Sequence, residues 1–116
     1  MSKREPGILL GAIETAISKI NRFIEGLDDG SFLADDKTLD AVIRNLEIIG
    51  EAARQLPESF KQRHPTITWS QIAGLRNRIV PDYAGVDLPL VWNIVKTALP
   101  ELSGQIRDLR EKIAER

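Results

Sequence analysis

The stretch LDAVIRNLEIIGEAARQLP, residues 39–57, is the clearest indication of fold class in this chain. Its apolar residues recur every three or four positions, which is the period of one helix face. Asp35 or Asp36 can cap the helix and Pro57 ends it. Gly50 lies inside the pattern at a cost of about 1 kcal/mol relative to alanine, which predicts a closely approaching neighbour. The apolar stripe consists of Leu39, Val42, Ile43, Leu46, Ile49, Ala53 and Leu56.

One amphipathic pattern precedes this stretch and another follows it. The first covers residues 8–27, and we expect Asp28-Asp29-Gly30 to end it because glycine tolerates the left-handed conformation found at many helix C-termini. The second covers residues 69–80, with Thr68 as its cap and Pro81 as its end. A single helical turn is predicted over residues 58–62.

A fourth pattern runs from Asp87 to the last residues of the chain. Asp87 is its cap and Pro89 lies in its first turn. Pro100 falls inside the pattern, where we predict a kink and not a break. Trp92 lies off the apolar stripe, either at the edge of the core or at a contact between subunits. Together the patterns predict an all-α protein, an antiparallel four-helix bundle formed by one domain over residues 1–116.

Composition narrows the classes of function. The chain has 116 residues, a formal net charge of −1 and a sequence pI of about 5.8, so a broadly electropositive coat is excluded. It contains no cysteine, which excludes disulfides, thiolate nucleophiles and zinc–thiolate sites. His64 is its one histidine, which excludes a histidine-rich metal site. No apolar run is long enough to span a bilayer and the first residues lack a signal-peptide pattern, so we expect a cytoplasmic protein.

Arg76 is the residue that stands out on physical grounds. It lies on the predicted apolar stripe of the third helix, four residues after Ile72 and three before Ile79. An unpaired buried charge is very costly, so this guanidinium either forms an ion pair or faces a polar cleft. Glu47 and Glu51 of the preceding helix are the candidate partners for an ion pair.

The segment GLRNRIVPDY, residues 74–83, resembles the signature of the HepT-like branch of the HEPN superfamily. That signature is an arginine, four residues, a histidine, one residue and a tyrosine. Arg76 and Tyr83 occupy the arginine and tyrosine positions, and Pro81 stands where the family has its histidine. The segments LEIIGEAA (46–53), PTITW (65–69) and VWNI (91–94) also resemble the family, so that the resemblance covers practically the whole chain.

The resemblance implies the toxin of a type II toxin–antitoxin pair, a homodimeric and metal-independent endoribonuclease that needs no cofactor. Its active site would lie in a cleft at the dimer interface, with Arg76 and position 81 as catalytic positions and RNA as substrate. Its partner would be a minimal nucleotidyltransferase (MNT) antitoxin, which transfers AMP from ATP to the motif tyrosine. Tyr83 would then be the modified residue.

The chemistry explains why Pro81 matters. Metal-free RNA cleavage uses the 2′-hydroxyl as nucleophile and needs a side chain that moves a proton near neutral pH, which histidine does best. Arginine stabilises the charge that grows on the phosphate oxygens. Positions five apart differ by about 140° on a regular helix, so the two motif positions converge only if the helix ends between them or a twofold axis joins two subunits.

Proline supplies no proton carrier, and we therefore expect little or no RNA cleavage. Pro81 is either a natural feature of a degenerate family member or a mutation that removes toxicity. We expect His64 to be an exposed loop residue and no substitute for the motif histidine.

Other residues near the motif are candidates for binding. Asn77, Arg78 and Asp82 flank it and can hold RNA or the tyrosine hydroxyl, although a solvated helix end explains Arg78 and Asp82 equally well. Glu51 can orient Arg76, or it can form a surface ion pair with an arginine of its own helix (Arg44 or Arg54). Two alternatives to the nuclease stay open: an inactive subunit that serves as partner and substrate of the nucleotidyltransferase, and a bundle that binds nucleotide around Arg76.

Overall fold

The computed structural model describes residues 5–80 and 85–114, and every regular element in these two ranges is helical. The all-α class is therefore confirmed, while the antiparallel four-helix arrangement and the single domain stay predictions. The helices are α1 (Pro6–Ile24), α2 (Asp29–Leu33), α3 (Asp36–Gln55), α4 (Glu58–Arg63), α5 (Trp69–Ala73), α6 (Leu75–Ile79), α7 (Leu88–Asn93) and α8 (Leu99–Ala114), with a π-helical segment, Ile94–Ala98, between α7 and α8.

Helix α3 is the central element of the structure. It packs along α1 on one side and against α5 and α6 on the other, while α8 also packs against α1. Asp35 caps α3 as predicted, since its carboxylate accepts the backbone amide of Thr38 at 3.1 Å. The fully buried core residues come from nearly every helix. They include Leu10, Ile13, Ile20, Phe32, Val42, Leu46, Ile49, Ile79, Val91 and Ile106.

The end predicted for the first helix is wrong. Helix α1 stops at Ile24, and the left-handed residue is Gly26, with φ +80°, not Gly30. Asp28 instead caps the short helix α2, because its carboxylate accepts the backbone amide of Ser31 at 2.8 Å while the Ser31 hydroxyl accepts the amide of Asp28.

Helix α2 buries Phe32, whose ring centroid lies 5.0 Å from that of Trp92. Trp92 is half-buried and therefore lies at the edge of the core. Its alternative role in a contact between subunits stays a prediction.

The predicted third helix is divided in two. Gly74 adopts φ −91° and ψ 8°, so that α5 ends at Ala73 and α6 begins at Leu75. The buried stripe nevertheless continues across the break through Ile72, Leu75 and Ile79, at the spacing of one helix face, and Arg76 lies beside it. Ile72 and Ile79 are buried, whereas Arg76 is exposed, and its predicted position on an apolar face is wrong.

The last pattern is helical throughout residues 88–114, without a break at Pro100. Asp87 caps it by accepting the amide of Leu90, and Pro89 lies in the first turn, as predicted. A proline lacks the amide that closes a normal helical turn. The widened π turn directly precedes Pro100, and in it the amide of Leu99 donates to the carbonyl of Ile94, five residues earlier.

Candidate functional site

Arg76 lies in a cleft between α6 and α3. The cleft has a volume of about 290 Å³ and is lined on the α3 side by two arginines and two glutamates. These residues are Arg44, Glu47, Glu51 and Arg54. Their spacing of three and four positions places them on one face of α3. We call this the arginine cleft.

Gly50 brings the two walls of the arginine cleft together. It is buried, and a Cβ atom at this position would lie 3.1 Å from the carbonyl oxygen of Ile72 and 3.5 Å from that of Ala73. The prediction that Gly50 marks a close neighbour is therefore confirmed. The contact sets the distance between α3 and the end of α5, and so the position of Arg76 two residues into α6.

Arg76 forms no ion pair within residues 5–80 and 85–114. The predicted pairing with Glu47 or Glu51 is therefore wrong for these residues. The remaining alternative is that Arg76 faces a polar cleft. Glu51 instead lies 3.7 Å from Arg54 and accepts a hydrogen bond from the side-chain amide of Gln55 at 3.2 Å. Both members of the Glu51–Arg54 pair are more than half exposed, so their attraction is weak. The guanidinium of Arg76 is thus available to an anion in the cleft.

Arg78 does not share the arginine cleft. Two residues differ by about 200° around a helix, and Arg78 lines a separate cavity on the other side of α6, towards the start of α8. Asn77, between them, is exposed and lines neither cavity. The structure therefore brings Arg76 together with Glu51 and separates both from Arg78.

The remaining motif residues, Pro81, Asp82 and Tyr83, lie outside the described residues. Helix α6 ends at Ile79, between Arg76 and position 81, which satisfies one of the two conditions for the motif positions to converge. The backbone amide of Asp87 donates to the carbonyl of Ile79 at 2.8 Å, so the chain on either side of the undescribed residues is joined at the end of α6.

His64 differs from the exposed loop residue that we expected. It is half-buried, and its ring centroid lies 4.7 Å from that of Phe60. Its carbonyl accepts the indole N–H of Trp69 at 3.0 Å, which ties the connection before α5 to the core. The imidazole thus packs against Phe60, which also contacts Trp69, in a small aromatic cluster.

Neither a metal-binding cluster nor a membrane-spanning helix is found among the described residues. No group of three or more histidine, cysteine or acidic side chains there is arranged to hold a metal ion. None of the helices in this part of the chain is long and apolar enough to cross a membrane.

Sequence reasoning did not treat Arg44 and Arg54 as part of the site. The sequence presents both only as candidate surface partners for Glu51. Their spacing relative to Glu47 and Glu51 could have placed all four side chains on one face of α3, but only the packing of α3 against α5 and α6 shows that this face meets Arg76.

Known proteins resemble this chain over most of its length. A family model described as "Ribonuclease HepT-like" matches residues 13–109. A protein of Thermococcus cleftensis named "Probable ribonuclease HepT" is 41% identical over 109 residues, covering 94% of this chain and 99% of that protein.

Two further relatives have names that class them provisionally as RNases. One, from Methanocaldococcus jannaschii, is 35% identical over 91% of this chain and 97% of its own length. The other, from Caldanaerobacter subterraneus subsp. tengcongensis, is 34% identical over 77% of this chain and 80% of its own length. No solved structure matches the chain. The match to the family model and the extent of these similarities show that the chain belongs to the HepT-like ribonuclease family.

Proposed function

We propose that this protein is the RNA-binding toxin subunit of a toxin–antitoxin pair, a metal-independent endoribonuclease whose cleavage step is impaired by Pro81. The observation that carries the proposal is the arginine cleft. It combines Arg76, which has no ion-pair partner among the described residues, with Arg44 and Arg54 on the facing helix.

The charges of the cleft favour a phosphate ligand. Three guanidinium groups face two carboxylates, Glu47 and Glu51, so the cleft has a formal excess of positive charge although the chain as a whole is slightly acidic. Guanidinium groups match the geometry of phosphate and bind it through two parallel hydrogen bonds. A local basic cleft of this kind is what a single-stranded RNA backbone requires.

The proposed reaction is an internal transesterification. The 2′-oxygen attacks the adjacent phosphorus, the bond from phosphorus to the 5′-oxygen breaks, and a cyclic phosphate and a 5′-hydroxyl result. One proton leaves the 2′-hydroxyl and one reaches the departing 5′-oxygen. Arg76 would stabilise the charge on the phosphate oxygens, but Pro81 offers no group that carries either proton, so the rate is expected to be low.

The test restores the proton carrier. RNA cleavage is compared for the wild-type chain, Pro81→His, and Pro81→His combined with Arg76→Gln, all in EDTA. The proposal expects cleavage only by Pro81→His, and none of an oligonucleotide in which deoxyribose replaces ribose. Equal cleavage by all three proteins, or cleavage of the deoxyribose control, contradicts the assigned roles.

Regulation of the toxin would act through Tyr83. An MNT antitoxin would transfer AMP from ATP to the tyrosine hydroxyl, with release of pyrophosphate, within a complex formed by a homodimer of this chain. Mass spectrometry after incubation with such a transferase and ATP tests this step, with Tyr83→Phe as control. Unchanged mass of the wild-type chain contradicts it.

A second candidate function is favoured by Pro81 itself. A subunit without nuclease activity needs no proton carrier at position 81, and it would serve only as partner and substrate of the transferase. If Pro81→His binds RNA no better than it binds DNA and cleaves neither, while Tyr83 accepts AMP, this second function replaces the first.

A further inference from the structure

The cavity beside Arg78 is separate from the arginine cleft and has a different character. It has a volume of about 260 Å³ and lies between the short helices α5 and α6, the π-helical segment and the start of α8. Its inner wall is formed by buried aliphatic side chains, among them Ile72, Leu75, Ile94 and Leu99. The cavity is smaller than the usual site for a drug-sized ligand, so it suits a single ring system.

Polar groups of complementary kinds surround this apolar wall. Arg78 can only donate hydrogen bonds, and the carboxylate of Glu101 only accepts them. No ion pair joins these two residues to each other or to any other described residue. Gln105 is held in place by a long hydrogen bond, 3.5 Å, from its side-chain nitrogen to the carbonyl of Thr66, which leaves its side-chain oxygen as an acceptor.

The π-helical turn contributes to the wall of the cavity through Ile94 and Ala98. Isolated π turns within α-helices occur often at functional sites. Here the turn lines the same cavity as Arg78 of α6. Arg76 and Arg78 are two residues apart on α6 and line different cavities. Arg76 lines the arginine cleft, and Arg78 lines the cavity on the other side of the helix.

We infer that this cavity binds one unstacked nucleobase of the RNA strand whose phosphates occupy the arginine cleft, and that the base carries an exocyclic amino group. The inference rests on the proposed function. Proteins that accept an unstacked base hold it between aromatic or apolar side chains and read its edge by hydrogen bonds. Glu101 accepts a hydrogen bond from the amino group, which adenine, cytosine and guanine have and uracil lacks. Arg78 neutralises the neighbouring phosphate.

The test measures binding, so it uses the chain with Pro81 as it is. Fluorescence anisotropy gives the Kd of three labelled RNAs of equal length made only of adenosine, cytidine or uridine. We expect the adenosine and cytidine RNAs to bind about tenfold more tightly than the uridine RNA, which corresponds to about 1.4 kcal/mol for one well-formed contact. Glu101→Gln should reduce this preference to about twofold or less, since it removes the charge at unchanged size.

Ala98→Trp tests whether the base preference arises in the cavity or elsewhere on the surface. Ala98 is exposed on the π turn, and a large side chain there fills the cavity from its mouth. Binding of the adenosine and cytidine RNAs should fall to the level of the uridine RNA, whose own Kd should not change. Thr97→Trp is the matched control, because Thr97 is exposed on the same turn and does not line the cavity. It should keep the preference.

The outcomes distinguish this inference from the proposed function. Equal Kd values for the three RNAs, or a preference that survives Ala98→Trp, overturn the base site, while RNA binding that Arg76→Gln weakens still supports the arginine cleft. Failure of every RNA to bind overturns both. Displacement of bound RNA by ATP in the wild-type chain but not in Ala98→Trp would assign the cavity to free nucleotide and overturn its role in RNA recognition.

Discussion

Gly50 of α3 contacts the backbone of Ile72 so closely that a Cβ atom there would lie 3.1 Å from the Ile72 carbonyl oxygen. Few Cβ atoms approach a neighbouring atom this closely, so it is the absence of a side chain at Gly50 that lets α3 lie against the end of α5. The arginine cleft has Gly50 and Ala73 in its floor, so its width depends on the absence of a side chain at position 50.

The first prediction compares two helical glycines. Gly104→Ala should stabilise the protein by about 1 kcal/mol, because alanine favours helix and the nearest atom to the added Cβ is the far end of the Arg107 side chain, 3.8 Å away. Gly50→Ala should instead destabilise it by about 1 kcal/mol, because the added methyl group meets backbone oxygen atoms that move only with α5. Urea denaturation measures both. If Gly50→Ala instead stabilised the protein as much as Gly104→Ala, α3 and α5 would be able to move apart at little cost, which contradicts this prediction.

The second prediction concerns the ion pair between Glu14 of α1 and Arg110 of α8. Gly11 leaves room for this guanidinium, since a Cβ at Gly11 would lie 3.3 Å from its nearest nitrogen. The pair is partly exposed, so Glu14→Gln should lower the free energy of unfolding by less than about 1 kcal/mol, and the loss should disappear in about 1 M salt.

The control for this ion pair is Glu111→Gln, because Glu111 is exposed on the same helix as Arg110 and forms no ion pair with the described residues. Its stability should not change measurably at either salt concentration. A loss for Glu14→Gln that persists undiminished in high salt would show that packing, and not charge, joins α1 to α8 at this point.

The third prediction follows from the cap of α3. The Thr38 hydroxyl and the Thr38 backbone amide both donate to Asp35 and hold the pKa of its carboxyl below the ordinary value. A lowered pKa in the folded state gives stability that is present above the unfolded pKa, about 3.9, and is lost as the pH falls through the folded value.

Asp35→Asn should therefore weaken the decline in stability as the pH falls below about 4, measured as the urea midpoint at each pH. Asp36→Asn is the control, since the Asp36 carboxylate is exposed and accepts no hydrogen bond from the described residues. Identical acid profiles for the wild type and Asp35→Asn would contradict the role of this cap.

The fourth prediction tests the arginine cleft through salt. Each phosphate contact with a single strand adds about −0.7 to the slope of log binding constant against log salt concentration. Arg76→Gln, Arg44→Gln and Arg54→Gln should each make the slope shallower by about that amount. Arg107→Gln, an exposed arginine of α8 outside the arginine cleft, should leave it unchanged. Equal slopes for all four variants would show that RNA phosphates bind outside the arginine cleft.

Local sequence was enough to predict the elements that are long, regular and capped. Helix α3 begins at Asp36 after the cap Asp35 and ends before Pro57, as its pattern indicates, because these signals act within a few residues. The cap at Asp87 and the continuous helix through Pro100 follow from equally local rules. The motif around Arg76 also lies in one segment, so the family could be predicted from it.

Tertiary packing decided what these local signals leave open. Helical spacing allows either Leu75 or Arg76 to join the stripe of Ile72 and Ile79, and the packing buries Leu75 and leaves Arg76 exposed at an open cleft. The same packing brought Arg44 and Arg54 of α3 beside Arg76, more than twenty positions away in sequence, and placed Arg78 in a different cavity. Sequence alone determined which residue types are present for RNA chemistry and that the motif histidine is absent. The three-dimensional contacts determined which charges meet, because charges act over distances in space that sequence separation does not reveal.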